Sequence, residues 1–307
     1  MRSDFYFGSH GSGQIRSAVW MPSGEPKAVM QILHGIAEHI ERYENFARYL
    51  NQQGIIVVAA DHMGHGKSIG ADGIQGHFHG GWFAAVEDAY YLLRQTKNQY
   101  SQLPYILFGH SMGSFMARTI LSRYPDSGIS GAIICGTGWQ SNALLQAAIP
   151  LCRAVCKKDG EKNPSALLQK IIFGGYNNKV EHVRTANDWL TRDSNIVDAY
   201  NADPLCGFAA SAGLYLDMLT GIRYVQQQEA LKSMDSSLPV LFIAGGEDPV
   251  GGYGKGVLKT VKAFEKVGMA DISSKLYPLC RHEILNEINK DEVFRDISKW
   301  IDKKILK

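Results

Sequence analysis

The stretch YILFGHSMG, residues 105–113, sets the direction in which the rest of the chain is interpreted. It joins a short apolar run, typical of a buried parallel strand, to a serine that has a glycine two residues before it and two residues after it. A serine that must stand clear of a sheet needs a sharp strand-to-helix turn, and side chains at both glycine positions would collide there. The stretch therefore predicts a strand, a tight turn that exposes Ser111, and a helix.

Similar apolar runs recur along the chain and alternate with helical patterns. The apolar runs lie at residues 28–33, 55–60, 105–108, 132–135 and 239–244. The helical patterns lie at residues 42–53, 83–99 and 114–124. This alternation predicts the α/β fold class, with a mostly parallel central sheet flanked by helices on both faces.

The alternation stops after Gly138. From there to about residue 224 the sequence offers helical or irregular pattern, beginning with the apolar stretch NALLQAAIPLCRAVC at 142–156. The strand pattern returns with LPVLFIAGGED at 238–248. We therefore expect a core built from residues 1–138 and 225–307, with a helical cap inserted at residues 139–224.

The amino-acid composition of the chain excludes some classes of protein. The chain has 307 residues, of which 45% are hydrophobic and 20% charged, with a formal net charge of +2. A chain of that size can bury a large hydrophobic core. The near-neutral net charge does not indicate a nucleic-acid-binding protein. The N-terminus lacks the apolar region of a secretory signal, and no apolar stretch is long enough to cross a membrane, so a soluble cytoplasmic protein is expected.

Cysteine and histidine spacings do not predict a metal site or a disulfide framework. Five cysteines are an odd number, which argues against a set of disulfides. The closest histidine pairs, His62 with His65 and His77 with His79, have no further ligand at the usual spacing. We therefore expect neither a metal nor an organic cofactor.

A serine hydroxyl becomes a useful nucleophile when a base takes its proton and an acid orients that base. Around turns of this kind the acid and then the base follow the serine in chain order. Asp248 follows an apolar strand in FIAGGEDPV, and His282 follows another strand-like segment in KLYPLCRHEILNE. Glu247 is the alternative acid. The sequence thus predicts Ser111, Asp248 and His282 as nucleophile, acid and base.

The negative charge that develops on the substrate needs backbone donors. One is the amide of Met112, directly after the serine, and the second is expected from the loop that follows the strand at 28–33. That loop begins His34-Gly35-Ile36, and Ile36 is the candidate donor.

Four segments resemble the monoacylglycerol lipase group of α/β-hydrolases, which includes bacterial lysophospholipases and is related to serine aminopeptidases. They are HGIAEHIERY (34–43), DHMGHGKSIG (61–70), GHSMGS (109–114), and GGEDPV (245–250) together with RHEILNE (281–287). The resemblance implies an α/β-hydrolase fold with a helical cap and a serine ester hydrolase without cofactor. By position it implies the same roles for Ser111, Asp248, His282, Ile36 and Met112, and a polar network of Glu38, His39 and Arg42 beside the site. Glu38 and Arg42 are four residues apart, so a simple ion pair on one helical turn is also expected, and it is compatible with this role.

The apolar cap favours a small-molecule ester with a single acyl chain, such as a monoacylglycerol or a lysophospholipid. At most, the cap would make weak contact with a membrane surface. One alternative is an aminopeptidase of the S33 type, which needs a cap acid to hold a free amine; the available acids are Glu181, Asp188, Asp193 and Asp198. The other alternative is a non-catalytic small-molecule receptor on the same fold. Oligomeric state is left open by the sequence.

Overall fold

A single mixed sheet forms the centre of the molecule in the computed structural model, which describes residues 1–70 and 72–306. In the described residues, eight strands adopt the order β1-β2-β4-β3-β5-β6-β7-β8. They are β1 (Arg2–Gly8), β2 (Gln14–Trp20), β3 (Ala28–Leu33), β4 (Ile55–Ala60), β5 (Tyr105–His110), β6 (Gly131–Cys135), β7 (Val240–Gly245) and β8 (Ile272–Tyr277). β1 and β2 pair antiparallel and β2 runs antiparallel to β4, whereas all pairs from β4 to β8 are parallel.

Helices cover both faces of this sheet. They are α1 (Glu44–Gln52), α2 (Gly81–Gln99), α3 (Met112–Arg123), α4 (Asn142–Asp159), α5 (Ala166–Phe173), α6 (Ser194–Ala202), α7 (Ala212–Val225), α8 (Gln228–Lys232), α9 (Lys255–Lys266) and α10 (Lys290–Ile301). Side chains of β5 alternate between two cores, with Tyr105 and Leu107 facing α2, α3 and α9 while Ile106 and Phe108 face α1 and α10. Because successive strand residues point to opposite faces, a strand that is apolar throughout can serve both cores.

The predicted fold class is confirmed, and the five predicted strands match β3 to β7 to within two residues at each end. The sequence analysis missed the hairpin of β1 and β2. β1 lies at the edge of the sheet and most of its residues are exposed, including Phe5 and Tyr6. It combines these aromatic residues with Arg2, Ser3 and Asp4, so it lacks the continuous aliphatic run by which the other strands were recognised.

Five helices, α4 to α8, lie between β6 and β7, where the sequence pattern predicted a helical insertion. In that interval the described residues contribute one isolated strand-like bridge, Pro164 with Ser211. α4 packs against α7, and α7 packs in turn against α2 and α3. The three-part division of the chain at residues 138 and 224 stays a prediction. In the two described ranges, none of the helices has the length and apolar character needed to cross a membrane.

The parallel strands end at the same edge of the sheet, and the loops that leave this edge carry the candidate site. Ile36 follows β3, Ser111 follows β5, Asp248 follows β7 and His282 follows β8. In open α/β sheets, ligands bind outside the carboxyl ends of the strands. The topology therefore brings together residues that are up to 246 positions apart, from Ile36 to His282.

Candidate active site

Ser111 lies at the turn between β5 and α3 with φ of 53° and ψ of −119°. Its amide donates a 3.0 Å hydrogen bond to the carbonyl of Cys135, and its own carbonyl accepts the hydroxyl of Ser114 at 2.6 Å. A Cβ atom on Gly109 would overlap the carbonyl of Gly113, and one on Gly113 would overlap the carbonyl of Leu33. Both glycines are therefore required for the tight turn that the sequence predicted.

His282 and Asp248 are buried and in contact. Nδ1 of His282 lies 3.0 Å from Oδ2 of Asp248, which is an ion-pair distance, and in the described part of the chain neither atom has a hydrogen-bond partner. The other carboxylate oxygen of Asp248 accepts the amide of Val250 at 2.8 Å. Glu247, the alternative acid, is exposed. The structure thus brings Asp248 to His282, in the arrangement in which a carboxylate orients an imidazole.

Ser111 and His282 line the same cavity of about 350 Å³. Gly35 and Ile36 line it as well, and a Cβ atom on Gly35 would come within 3.1 Å of the Ser111 Cβ atom. The loop after β3 therefore lies directly against the serine. Among the described residues, the amides of Ile36 and Met112 have no protein acceptor, so both can donate to a bound ligand.

Glu38 and Arg42 form a buried ionic network beside the cavity. Arg42 Nη1 lies 3.0 Å from Glu38 Oε2, and the same guanidinium donates two hydrogen bonds, of 2.5 and 2.6 Å, to Glu283. Glu38 Oε1 also accepts the Gly35 amide at 2.6 Å and the Tyr43 hydroxyl at 2.9 Å. Sequence reasoning missed Glu283, although its position directly after His282 would have been a signal.

The charge state of Glu38 follows from these contacts. Burial opposes its ionisation, but the hydrogen bond from His110 and the charge of Arg42 outweigh burial and hold the pKa of its carboxyl well below the usual value. Ionised Glu38 can accept several hydrogen bonds at once, including the one that fixes Gly35 beside the serine.

His39 lies apart from this network. Its Nε2 atom is 2.8 Å from Oδ2 of Asp203, at the end of α6, and the Cys206 thiol completes a group of three potential metal ligands within 4.8 Å of one another. Burial raises the pKa of the Cys206 thiol, which disfavours the thiolate that a metal would need. We interpret the group as a hydrogen-bonded contact between the loop after β3 and the segment after α6.

The histidines of the segment 61–70 support the same loop. The His62 amide donates to Nε2 of His34 at 2.9 Å, and His62 Nε2 lies 3.1 Å from the His34 carbonyl. Burial lowers the pKa of His62 to about 3 and that of His65 to about 4, so both rings are neutral. His62 therefore acts as a neutral hydrogen-bonding group behind the loop that carries Ile36, and the neutral His65 ring lies with its centre 5.4 Å from that of His34.

A second cavity, of about 280 Å³, meets the first at Ile36, Ser111 and Phe173. We call it the apolar chamber, because hydrophobic side chains of α3, α4, α5 and α7 form most of its wall; examples are Phe115, Leu144, Ala148, Leu151, Met218 and Leu219. We call the first cavity the polar chamber, because its wall carries more polar groups than that of the second, among them Gln169, Lys170, Asn177, Asn187 and Tyr200; apolar side chains such as Phe173, Trp189 and Leu190 form the rest of the wall. The serine therefore lies at the junction of an apolar space and a space of mixed character.

The four cap acids considered for a peptidase lie outside both chambers. Asp188 accepts hydrogen bonds from the Thr185 amide and hydroxyl, Asp193 caps α6, and Asp198 pairs with Arg184. Glu181 is exposed. The acids that do line the polar chamber are Glu38 and Glu283, and Arg42 pairs with both.

Comparison with known proteins gives consistent results. The family model described as "Serine aminopeptidase, S33" matches residues 24–289. A monoacylglycerol lipase of Mycolicibacterium smegmatis is 29% identical over 303 residues, covering 98% of this chain and 97% of its own. The human monoglyceride lipase is 27% identical over 292 residues, covering 93% of this chain and 86% of its own.

Among solved structures, a thermostable carboxyl esterase of Bacillus coagulans, in complex with glycerol, has a TM-score of 0.92 and 29% identity, with 99% of each chain covered. Together with the lipases, it supports the predicted class of carboxylic ester hydrolases. The family model covers most of the chain, including every candidate residue named above for the site. The chain therefore belongs to the serine aminopeptidase S33 family, as its motifs predicted, and it has the α/β-hydrolase fold.

Proposed function

We propose that the protein hydrolyses carboxylic esters that carry a single acyl chain, such as monoacylglycerols or lysophospholipids, through an acyl-enzyme on Ser111. The observation that carries the proposal is the position of Ser111 at the junction of the apolar and polar chambers. An ester of this type has one long apolar part and one small polar part, joined at the bond to be cleaved. The apolar part fits the apolar chamber, and the polar part fits the chamber that carries the polar side chains.

In the proposed mechanism His282 takes the hydroxyl proton as Ser111 Oγ attacks the ester carbonyl, and Asp248 orients the ring. The amides of Ile36 and Met112 stabilise the negative charge on the carbonyl oxygen. When the tetrahedral intermediate collapses, its bond to the alcohol oxygen breaks and His282 returns the proton to that oxygen. Water then attacks the acyl-enzyme by the same sequence, and the acid product and free Ser111 result.

We assign the acyl chain to the apolar chamber and the alcohol to the polar chamber. Burial of an acyl chain is favourable by about 0.8 kcal/mol per methylene, and an apolar wall is the right surface for it. Side-chain amides and the Lys170 ammonium in the polar chamber can bind hydroxyl or phosphate groups of the alcohol. The names of the relatives, a monoacylglycerol lipase and an esterase with bound glycerol, agree with this assignment.

Weak contact with a lipid surface is part of the proposal. Leu144, Leu151 and Ile171 line the apolar chamber and are also at least 40% exposed, and Leu167 on α5 is exposed nearby in sequence. These side chains form an apolar rim, through which a single-chain lipid could pass from a surface to the serine. Sedimentation with phosphatidylcholine vesicles tests the contact, with partial binding expected.

We also propose a cytoplasmic location. All five cysteines are free thiols and four of them are buried, which fits a reducing compartment. Fractionation of the native cells tests the location, and recovery of the protein from the extracellular medium would exclude it.

An aminopeptidase remains the second candidate, because the family model is named for that activity. A substrate with a free amine needs a carboxylate that faces the pocket. The two carboxylates of the polar chamber are bound to the guanidinium of Arg42, and the four cap acids lie elsewhere. This arrangement favours ester hydrolysis over peptide hydrolysis.

The experiment is a panel of p-nitrophenyl esters from acetyl to palmitoyl, with aminoacyl p-nitroanilides beside it, for wild type and Ser111→Ala. We expect turnover of the esters that is lost in the Ser111→Ala variant. Turnover of monoacylglycerols and of lysophosphatidylcholines with the same acyl chain length is then compared, which shows which alcohol part of the ester the protein prefers. Turnover of the anilides alone would establish the peptidase instead, and no turnover in either panel would favour a receptor.

A further inference from the structure

His110 is the last residue of β5 and directly precedes Ser111, yet the proposed mechanism gives it no role. Its side chain is buried, with 4% of the residue exposed, and its ring centre lies 4.7 Å from that of His282. A Cβ atom on Gly35 would come within 3.5 Å of His110 Nδ1, and one on Gly136 within 3.4 Å of Cδ2. The ring is therefore held in a closely fitting space beside the candidate base.

Both ring nitrogens of His110 face oxygen atoms that can only accept hydrogen bonds. Nδ1 lies 3.3 Å from the ionised carboxylate of Glu38, and Nε2 lies 3.4 Å from the backbone carbonyl of His282. A neutral imidazole has one N–H group and one bare lone pair, so one nitrogen would oppose its lone pair to an oxygen. The doubly protonated ring is the form in which both nitrogens donate.

The balance of charges around His110 also favours the doubly protonated ring. Glu38 and Glu283 each contribute one negative charge, and the guanidinium of Arg42 contributes one positive charge to the same buried cluster. Without a further cation the cluster would carry a net negative charge, and a buried unpaired charge is strongly unfavourable. With a protonated His110, the net charge of the cluster is zero. Tyr43, which also contacts Glu38, donates its hydroxyl hydrogen and adds no charge.

We propose that His110 is a buried imidazolium that positions the loop carrying Ile36 and the loop carrying His282 against each other. One ring N–H reaches the first loop through Glu38, whose carboxylate also binds the Gly35 amide. The other ring N–H reaches the second loop directly, at the carbonyl of His282. His110 is thus a positioning residue for the oxyanion donor and for the base, and this role rests on the proposed function of both.

The electrostatics support this assignment. Burial lowers the pKa of His110. Its hydrogen bond to Glu38 and the negative charges of Glu38 and Glu283 have a larger, opposite effect, so the pKa is raised above its usual value. The other titratable or charged groups around it are Arg42, which is bound to both glutamates, the Tyr43 ring at 6.5 Å, and the His282 ring at 4.7 Å, which is in contact with Asp248. When His110 loses its proton at alkaline pH, one of its two hydrogen bonds is lost and the cluster gains a net negative charge near the developing oxyanion.

Nitrogen-15 NMR of the histidine rings tests the protonation state directly, and it requires no turnover. At pH 8 a free histidine, with a pKa of about 6.5, is almost entirely neutral. We expect both ring nitrogens of His110 to be protonated at this pH in wild type and in Ser111→Ala. His62, whose pKa is lowered to about 3, serves as the neutral internal control. A neutral His110 ring at pH 8 would overturn the proposal, whether or not the protein hydrolyses esters.

Kinetics with Glu38→Gln test the positioning role. This variant keeps a carbonyl oxygen for His110 but removes the negative charge, so His110 should lose its proton at lower pH. We expect the alkaline limb of kcat to shift to lower pH together with the NMR titration of His110. An alkaline limb that stays in place while the NMR titration moves would show that the protonation of His110 does not matter for catalysis.

His110→Gln completes the test, because glutamine is neutral and can replace only part of the hydrogen bonding. We expect kcat to fall by about a hundredfold or more. In the absence of His110, replacement of Glu38 by glutamine should no longer shift the alkaline limb of kcat. The control His10→Gln, at a partly exposed ring, should leave kcat and its pH profile unchanged. If His110→Gln does not fold, wild type and Glu38→Gln still decide the question. A pH profile that His110→Gln and Glu38→Gln leave identical to wild type would contradict the role.

Discussion

Ser111 occupies a backbone conformation that costs a residue with a side chain of the order of 1–3 kcal/mol, since its φ is 53°. Such strain persists only where the surrounding structure fixes it. Here the Cys135 carbonyl holds the serine amide, the Ser114 hydroxyl holds its carbonyl, and the glycines on either side allow β5 and α3 to approach. The candidate nucleophile is thereby oriented before any ligand arrives.

Asp248→Asn tests the proposed role of the acid at the same scale. The amide has the shape of the carboxylate, but it can donate to Nδ1 of His282 and so favour the tautomer that cannot take the serine proton. We expect kcat to fall by about 10⁴-fold with the fold intact. Glu247→Gln, at the exposed neighbour, is the matched control and should change kcat less than twofold by the ordinary tolerance of surface positions. Equal losses in both variants would remove Asp248 from the proposed triad.

At the scale of elements, the site depends on how closely α3 approaches the end of β3. The first turn of α3 lies against the carbonyls of Leu33 and His34, at the start of the loop that carries Ile36. Because this approach leaves no room for a side chain at Gly113, the helix and the loop fix each other. The N-terminus of α3, where the Met112 amide has no acceptor among the residues that the structure describes, is thereby directed at the candidate oxyanion position.

Gly113→Ala should therefore be destabilising. The added methyl group would overlap the carbonyls of Leu33 and His34, which are backbone atoms and cannot turn away. We expect a loss of about 1–3 kcal/mol in the free energy of unfolding, measured by urea denaturation, and reduced ester turnover. Gly24→Ala is the control, because open space surrounds that position. Unchanged stability in Gly113→Ala would mean that the approach of α3 to β3 is less tight than described.

A second prediction at this scale concerns Asp217 of α7, which faces the start of α2 at Gly81. Burial raises the pKa of Asp217 to about 7, against about 3.9 in an unfolded chain. The folded protein therefore keeps a proton that the unfolded chain releases between about pH 4 and pH 7, so this residue's contribution to stability is lost as the pH rises through that window.

Asp217→Asn removes this titration. We expect Asp217→Asn to be more stable relative to wild type at pH 8 than at pH 5. The difference in free energy of unfolding, variant minus wild type, should therefore be larger at pH 8, as measured by urea denaturation at both values. Exposed Asp126→Asn should show no such difference. A relative stability of Asp217→Asn that is the same at both pH values would show that Asp217 titrates normally.

At the scale of the whole molecule, the segment between β6 and β7 is part of the site and more than a cover for it. The amides of His282 and Glu283 donate to the carbonyls of Trp189 and Leu190, at 3.4 and 2.7 Å. The Arg281 side chain donates to the carbonyl of Asp188 at 2.7 Å. The loop that carries the candidate base is therefore held by a segment far away in the sequence, and both chambers exist only where the two parts of the chain meet.

Ala148→Phe tests the proposed location of the acyl chain. Ala148 lines the apolar chamber, and a phenyl group there should shorten the space available to the chain. Each excluded methylene costs about 0.8 kcal/mol, so kcat/KM for long esters should fall by about tenfold for every two methylenes excluded, while acetyl esters keep their rate. Ala147→Phe, at the neighbouring exposed position, should leave the chain-length profile unchanged. Equal losses for short and long esters would contradict the assignment of the chamber.

The sequence by itself determined the fold class, the family and the positions of β3 to β7. The reason is that these features depend on local patterns: apolar runs that serve two cores, glycines that a sharp turn requires, and short motifs around Ser111, Asp248 and His282. The edge hairpin of β1 and β2 escaped prediction because neither strand is a continuous apolar run: β1 mixes charged and aromatic residues, and β2 contains the buried polar residues Arg16 and Ser17.

The tertiary structure alone decided most partners of the polar residues and the shape of the two chambers; the exception is the Glu38–Arg42 ion pair, which the spacing of four residues predicts. His39, expected beside Glu38 and Arg42, pairs with Asp203, while Glu283 joins Arg42 across 241 positions of the chain. The two acceptors of His110 come from residues 38 and 282. Such pairings depend on which loops the sheet brings to one edge and on how the helices between β6 and β7 pack over it. No spacing in the sequence encodes those distances, because they arise only when distant segments pack together.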